Sequence, residues 1–414
     1  MHETKKNKRN FKQGKSTQGK STQGKSTQGK STHNKSKKGG QLIDAGGYGC
    51  VFYPALKCKN KQTRTRGISK LSLKEESRTE WDIHNKIRKL LRVIPNYKQY
   101  FLLEDISMCE PDTLVGDDLT NLEKCRTIEP YNASTINEHL NEFMIINMPY
   151  GGNNLHIVIR NDLISFKDLT ILLKKLVLNA IHPMNQLNIY HFDIKASNIL
   201  YKNNNLKLID FGLLDFKNAE HSVPKNLSLG AINFNSPFSI ILFNSEVLMR
   251  VNWNLQQYSR SSKKRPSLSS ILKFFKPIYE EFIKLLGLEK TELYVIRIIS
   301  QIYSIKGKKS TNFKLVVTEL ICRYCSYAIF NYIDFENNVF DKVKYFDTIY
   351  SKNVDIYGII SCYTDYLDSS QSHYSNTFKS HIADLLLMYC YNYTYATKVI
   401  PIDLIFDKLT KIST

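Results

Sequence analysis

Residues His191-Phe-Asp-Ile-Lys-Ala-Ser-Asn198 are followed, after a few polar positions, by Leu206-Lys-Leu-Ile-Asp-Phe-Gly212. Short strands are predicted around 198–201 and 206–209, so Asp210 stands just past a small hairpin. Upstream, Leu169, Leu172, Leu173, Leu176 and Ile181 make an apolar stripe at helical spacing, which predicts one long helix over 164–189. Earlier still, 41–53 and 66–72 read as strands. Residues 74–93 read as a helix on Trp81, Ile83, Ile87, Leu90 and Leu91, and Phe143-Met-Ile-Ile-Asn-Met148 reads as a buried strand. Strands first and helices after imply an α+β chain of two lobes with a cleft between them.

The chain has 414 residues, 42% of them hydrophobic, enough for a sizeable core. Its net charge of +20 is unevenly spread: residues 1–40 hold twelve Lys or Arg against Glu3, which leaves +9 for the rest. Residues 14–32 repeat GKSTQ. This polar, cationic run has no apolar surface to offset the entropy of ordering, so a disordered tail is expected over 1–40. Gly14 to Ser21 formally fits the phosphate-binding pattern GxxxxGK[ST]. That loop works only between a buried strand and a helix, and neither flanks the repeat, so the match is set aside.

The N-terminus lacks the apolar core of a signal peptide, and no window approaches the ~20 apolar residues of a membrane span. The eight cysteines are scattered, and a chain of this size needs no disulfide framework. A soluble protein in a reducing compartment is therefore expected. Cys322 and Cys325 form a CxxC with no second pair nearby, which reads as two buried cysteines on one helix rather than a zinc site.

The two segments first quoted resemble the protein kinase family, whose catalytic loop reads HRDLxxxN and whose metal motif reads DFG. The resemblance implies a bilobal fold with a β-rich N-lobe and hinge over 41–150 and a helical C-lobe over 151–414. It implies ATP and Mg2+ as cofactors, with Mn2+ as a substitute, and a protein substrate. Phosphoryl transfer concentrates charge on oxygens that already carry it, so catalysis is mostly positioning and neutralisation. Asp193 would accept the substrate hydroxyl's proton, Lys195 would face the transferring phosphate, and Asn198 and Asp210 would hold the metal.

Asp44-Ala-Gly-Gly-Tyr-Gly-Cys-Val51 resembles the family's glycine-rich loop. Gly46 and Gly49 fall on its second and third glycines, Gly47 and Tyr48 on its tip, and Val51 on the residue over adenine. Asp44 replaces the first glycine. Gly67-Ile-Ser-Lys70 aligns with the strand that carries the phosphate-binding lysine, with Lys74 as runner-up, and Glu80 is its expected helix partner. Asn147-Met-Pro-Tyr-Gly-Gly152 resembles the hinge, which puts Met148 at the adenine edge, and Leu200 is the expected floor of the pocket. Phe234-Asn-Ser-Pro237 resembles the end of the activation segment, and Val354-Asp-Ile-Tyr-Gly358 a buried helix whose Asp355 braces the catalytic loop.

Two departures stand out. Phe192 replaces the arginine that normally pairs with a phosphorylated activation loop. An insertion of about 240–352 looks largely helical, with stripes at 271–287, 293–304 and 314–333 and a flexible basic loop, Ser261-Ser-Lys-Lys-Arg-Pro-Ser267. The run GGYGCVFYPAL, IPNYKQYF and FNSPFSIILFN are similar to kinases of large cytoplasmic DNA viruses, mimivirus-like ones in particular, which implies a virion or host-cytoplasm setting. Lys195, two positions after Asp193, implies serine/threonine specificity. The alternative is a pseudokinase or scaffold whose basic tail contacts nucleic acid or another polyanion without sequence preference.

Overall fold

Alternating and fully apolar runs before residue 150 build one antiparallel sheet: β1 (Gln41–Gly46), β2 (Gly49–Tyr53), β3 (Ile68–Leu73), β4 (Ser107–Cys109) and β5 (Phe143–Met148), in the order β1-β2-β3-β5-β4. The computed structural model describes residues 40–46, 49–61, 66–218, 222–262, 264–286, 289–368 and 373–412, all within the unit Gly39–Thr414. The repeat tail lies outside them. Strand β5 runs between β3 and β4 with five of its six residues buried, which is why its sequence is apolar without alternation.

Helix α1 (Lys74–Leu91) leaves β3 directly, with acidic Glu75 and Glu76 in its first turn and basic Arg88 and Lys89 in its last, as the helix dipole favours. Of its expected stripe only Ile87 and Leu91 are buried, while Ile83 and Leu90 are more than a third exposed. A short α2 (Tyr97–Tyr100) follows, and tight turns fill 116–142. Leu114, just before this stretch, and Leu122, Ile128 and Ile136 within it pack on Phe52, Leu71 and Ile145 of the sheet as a small separate core.

Here the cysteine expectation is corrected. Cys50 on β2 is bonded to Cys125, and Cys58 to Cys109 on β4, with Cα–Cα distances of 5.7 and 5.8 Å. The partners lie 75 and 51 residues apart, so nothing in their spacing announced them. Pairing of the backbone brings the second pair together: Lys59 N–H donates to the Glu110 carbonyl at 2.9 Å and Asp112 N–H to the Lys57 carbonyl at 2.8 Å.

The remainder is largely helical. After β6 (Asn153–Asn154) come α3 (Leu155–Arg160) and α4 (Phe166–Leu176), the latter capped by Ser165, whose hydroxyl accepts from Asp168 N–H at 3.1 Å. The expected single helix over 164–189 is interrupted by a wide π turn at Val177–Ile181 before α5 (His182–Gln186). Pro183 is the physical reason, because it has no N–H to donate to the preceding turn. Strand β7 (Ile189–Tyr190), the hairpin β8 (Ile199–Lys202) and β9 (Asn205–Leu208), and β10 (Asp215–Phe216) follow; β10 pairs with β7, and β6 with β8.

The expected stripes of the insertion fall on α7 (Leu268–Leu286), α8 (Glu289–Ile305) and α9 (Phe313–Asn331), after α6 (Ser245–Ser262). A small hairpin, β11 (Ile333–Asp334) and β12 (Val339–Phe340), leads to α10 (Lys342–Tyr345) and, through a second π turn, to α11 (Ser351–Ser361). Helices α12 (Asn376–Tyr389) and α13 (Ile402–Leu409) end the chain's regular structure. One continuous core runs from Ile87 to Leu409, so the insertion is packed into it rather than appended. In the basic run, Lys264, Arg265 and Ser267 are exposed. The Arg265 guanidinium lies 4.5 Å from the Phe330 ring and 4.7 Å from that of Phe335, and donates to the Phe330 carbonyl at 2.9 Å. Arg265 is thus held between two aromatic faces. Cys322 and Cys325 are both buried on α9, and burial pushes the Cys322 thiol up to about 12.

Candidate active site

Asp193 sits on a tight, irregular stretch between β7 and β8 and is only 6% exposed. Its carboxylate is held on both oxygens. Oδ2 accepts from Lys195 Nζ at 2.8 Å and from Asn198 Nδ2 at 3.0 Å, while Oδ1 accepts from Asn235 Nδ2 at 2.8 Å. Spacing explains the first two: residues two and five positions on return to the same carboxylate because a 3-10 turn at Ala196–Asn198 curls the chain back. A buried carboxylate with three N–H donors is oriented and kept as an acceptor.

The loop is fixed from below. Asp355 on α11 is 1% exposed, and its carboxylate accepts from His191 N–H at 3.1 Å, Phe192 N–H at 3.0 Å and Asn185 Nδ2 at 2.7 Å. Phe192 takes the left-handed region, φ 62°, which turns two successive N–H groups toward that one carboxylate. Gly358, one turn after Asp355, approaches so closely that a Cβ would sit 2.5 Å from the Ile194 carbonyl. His191 is fully buried. Asp193 N–H donates to its Nδ1 at 3.4 Å, so its Nε2–H donates to the Ile209 carbonyl at 3.1 Å. Burial pushes the neighbouring Tyr190 hydroxyl up to about 12.

In the sheet, Lys70 Nζ meets Glu80 Oε2 at 2.6 Å. The ten-residue separation is short because β3 passes into α1 at Lys74 without a loop. Lys74, the runner-up, points elsewhere, 3.7 Å from Glu110. Val51 is paired with Lys70 across β2 and β3, and Met148 with Ile68 across β5 and β3. Gly49 has φ +146°, and a Cβ there would sit 2.8 Å from the Lys70 side chain. Leu200, on β8, packs against the chain at Gly151. Asp44 and Gly46 lie on β1, which pairs Asp44 with Val51 and Gly46 with Gly49. Gly47 and Tyr48 fall outside the described residues.

Asn198 and Asp210 form a donor set suited to a hard divalent cation. The Asn198 amide spends its N–H groups on Asp193, leaving its oxygen as a ligand atom, and Ile209 N–H, one residue before Asp210, donates to the Asn198 carbonyl at 3.0 Å. The Asp210 residue is exposed and has φ 62°. No cluster of three or more His, Cys, Asp or Glu side chains occurs among the described residues. One carboxylate and one amide oxygen are ligand types that a hard divalent cation accepts, with water and phosphate oxygens able to complete its shell. Phe211 is buried against His191 and Phe101, with ring centroids at 5.4 and 6.4 Å.

Sequence reasoning missed two things at this site. Asn235 contacts Asp193 from 42 residues away, and nothing in its spacing signalled it. The cystine through Cys50 ties down the strand that follows the glycine-rich turn, and isolated cysteines carried no sign of it.

A search of curated proteins returns no match to the chain. The family model described as Protein kinase domain matches residues 38–246, half of the chain. That span includes the sheet with Lys70, helix α1 with Glu80, and the loops bearing Asp193, Asn198 and Asp210. The chain therefore belongs to the protein kinase domain family.

Proposed function

We propose that this chain transfers the γ-phosphoryl group of ATP to serine and threonine hydroxyls of protein substrates. One observation carries the reading: Asp193, Lys195 and Asn198 converge within hydrogen-bond distance, while Lys70 on β3 pairs with Glu80 on α1. In this reading Lys70, held by Glu80, binds the α- and β-phosphates, and Gly46, Gly47, Tyr48 and Gly49 cover them from above. Val51 and Leu200 enclose the adenine, with the Met148 backbone at its edge. Asp193 orients the incoming hydroxyl and takes its proton as the oxygen bonds to phosphorus. Lys195 moves from Asp193 toward the transferring group. Bound Mg2+, held by Asn198 and Asp210, would supply neutralisation of phosphate charge.

Lys195, two residues past the base, supports serine/threonine specificity. Phe192 in place of arginine supports activity without loop phosphorylation. The viral resemblance supports an origin in a large DNA virus, and the +11 repeat tail supports non-specific contact with polyanions.

The test is transfer from labelled ATP and Mg2+ to a generic basic protein, comparing wild type with Asp193→Ala. Loss of a positioned base should lower the rate roughly 10²–10⁴-fold, with label on serine and threonine in the wild type. ATP binding with no transfer by either protein would hand the chain to the scaffold reading.

A further inference from the structure

Of the two donors on Asp193 Oδ2, Lys195 has other work in a kinase reaction, facing phosphate, while Asn198 keeps its N–H groups on Asp193 and leaves only its oxygen for a metal. Oδ1 has a single partner among the described residues, Asn235. Asn235 is 1% exposed, and its amide nitrogen donates both to Asp193 Oδ1 at 2.8 Å and to the Ile194 carbonyl at 3.1 Å. Its own Oδ1 is buried with no partner among the described residues, and so is the hydroxyl of adjacent Ser236. A buried amide that leaves its acceptor unsatisfied while placing both donor contacts on the catalytic loop is costly to keep for packing alone.

We infer that Asn235 is the positioning residue for Asp193. Its N–H fixes the rotation of the carboxylate from the Oδ1 side, so that Oδ2 keeps facing the substrate hydroxyl when Lys195 turns to the nucleotide. This rests on the proposed kinase reading and deepens it. During transfer the hydroxyl proton goes to Asp193, the hydroxyl oxygen bonds to phosphorus, and the bond from phosphorus to the leaving diphosphate oxygen breaks. Asn235 exchanges no proton in the step; it stays a neutral donor throughout.

A second consequence concerns the segment that carries it. Residues 230–244 are stitched by Ser236 N–H to the Asn233 carbonyl at 3.4 Å and by Asn244 Nδ2 to the Gly230 carbonyl at 3.3 Å, then buried at Phe238. With Phe192 where a phosphate-binding arginine would stand, this neutral amide joins the segment to the base. The link needs no phosphate, and displacing the segment withdraws the donor from Asp193.

The experiment measures kcat and the KM for ATP of Asn235→Ala and Asn235→Thr beside wild type and Asp193→Ala, each normalised to folded, ATP-binding protein. Removing the donor is expected to lower kcat roughly ten- to a hundred-fold through misorientation, with the KM for ATP unchanged. The threonine hydroxyl can donate in place of the amide, so Asn235→Thr is expected to recover most of that loss. If the alanine variant does not fold, Asn235→Gln keeps the amide but displaces it by one methylene, and the same split between kcat and KM is expected. Wild-type kcat in Asn235→Ala overturns the inference. So does a loss that threonine does not rescue and that follows the folded fraction. A wild type that transfers no phosphate instead overturns the kinase reading itself, which Asp193→Ala reads separately.

Discussion

The sheet and the helical part are held together by different means. The sheet's own core has eleven buried residues, and two cystines reinforce it. The helical part needs none: its core gathers Tyr324, Tyr345, Tyr350 and Tyr357, all fully buried, around α11, and its four cysteines are free. A small apolar core buries too little surface to fix its strands, and cross-links make up the deficit, whereas a large aromatic core supplies rigidity by packing. The residues proposed to act on ATP are shared between the two regimes. Lys70 and Glu80 depend on the cross-linked sheet, and Asp193 depends on a carboxylate in the packed helices.

The sharpest way to break that contrast is Asp355→Ala. It strips the acceptor from three N–H donors at the bottom of the catalytic loop, and should cost about 3–5 kcal/mol in chemical denaturation and lower transfer as well. An unchanged midpoint would mean the helical core does not need this carboxylate.

Next in size is the sheet. Cys50→Ser combined with Cys125→Ser should lose about 2–4 kcal/mol, and wild type treated with reductant should approach the double variant. Equal melting curves with and without reductant would erase the distinction between the regions.

Arg265→Ala probes the packed side at a surface-facing point. Loss of stacking on Phe330 and Phe335 should cost about 0.5–1 kcal/mol and leave transfer unaltered. A larger loss would show that this surface contact holds the segment more than its packing into the common core does.

The smallest effect is one of pH. His84 on α1 bonds the Leu103 carbonyl at 3.2 Å, and burial lowers its pKa below the ordinary 6.5. The unfolded chain therefore takes up the proton first as pH falls, and stability drops through 6.5 and below; above it the histidine is neutral in both states and contributes no slope. His84→Gln should flatten that part of the denaturation-versus-pH curve, and an unflattened curve would assign the slope elsewhere.

Legibility followed sequence distance. Asp193, Lys195 and Asn198 lie close together in sequence, and resemblance to one short motif was enough to group them. Lys70 and Glu80 were also reached through a motif resemblance, and strand β3 running straight into α1 accounts for their short separation. Asp355 is 163 residues from Phe192 and was reached only through resemblance at Val354–Gly358. Asn235 and the cystines had no such guide: their partners are set by how separate segments pack, which composition and periodicity do not encode. The π turn at Val177–Ile181 was hidden for another reason, since its residues keep a helical apolar pattern while Pro183 alters the hydrogen bonding beneath it.

The cystines also bear on how the protein is made and stored. Both end in the stretch Cys109–Cys125, so they retain or release that stretch together. Material expressed in a thiol-rich cytosol and material exported through an oxidising route would have the same sequence and differ by hydrogens on four sulfurs. A buffer containing dithiothreitol would convert one into the other during purification, and batch-to-batch variation in nucleotide affinity would then record redox history rather than purity.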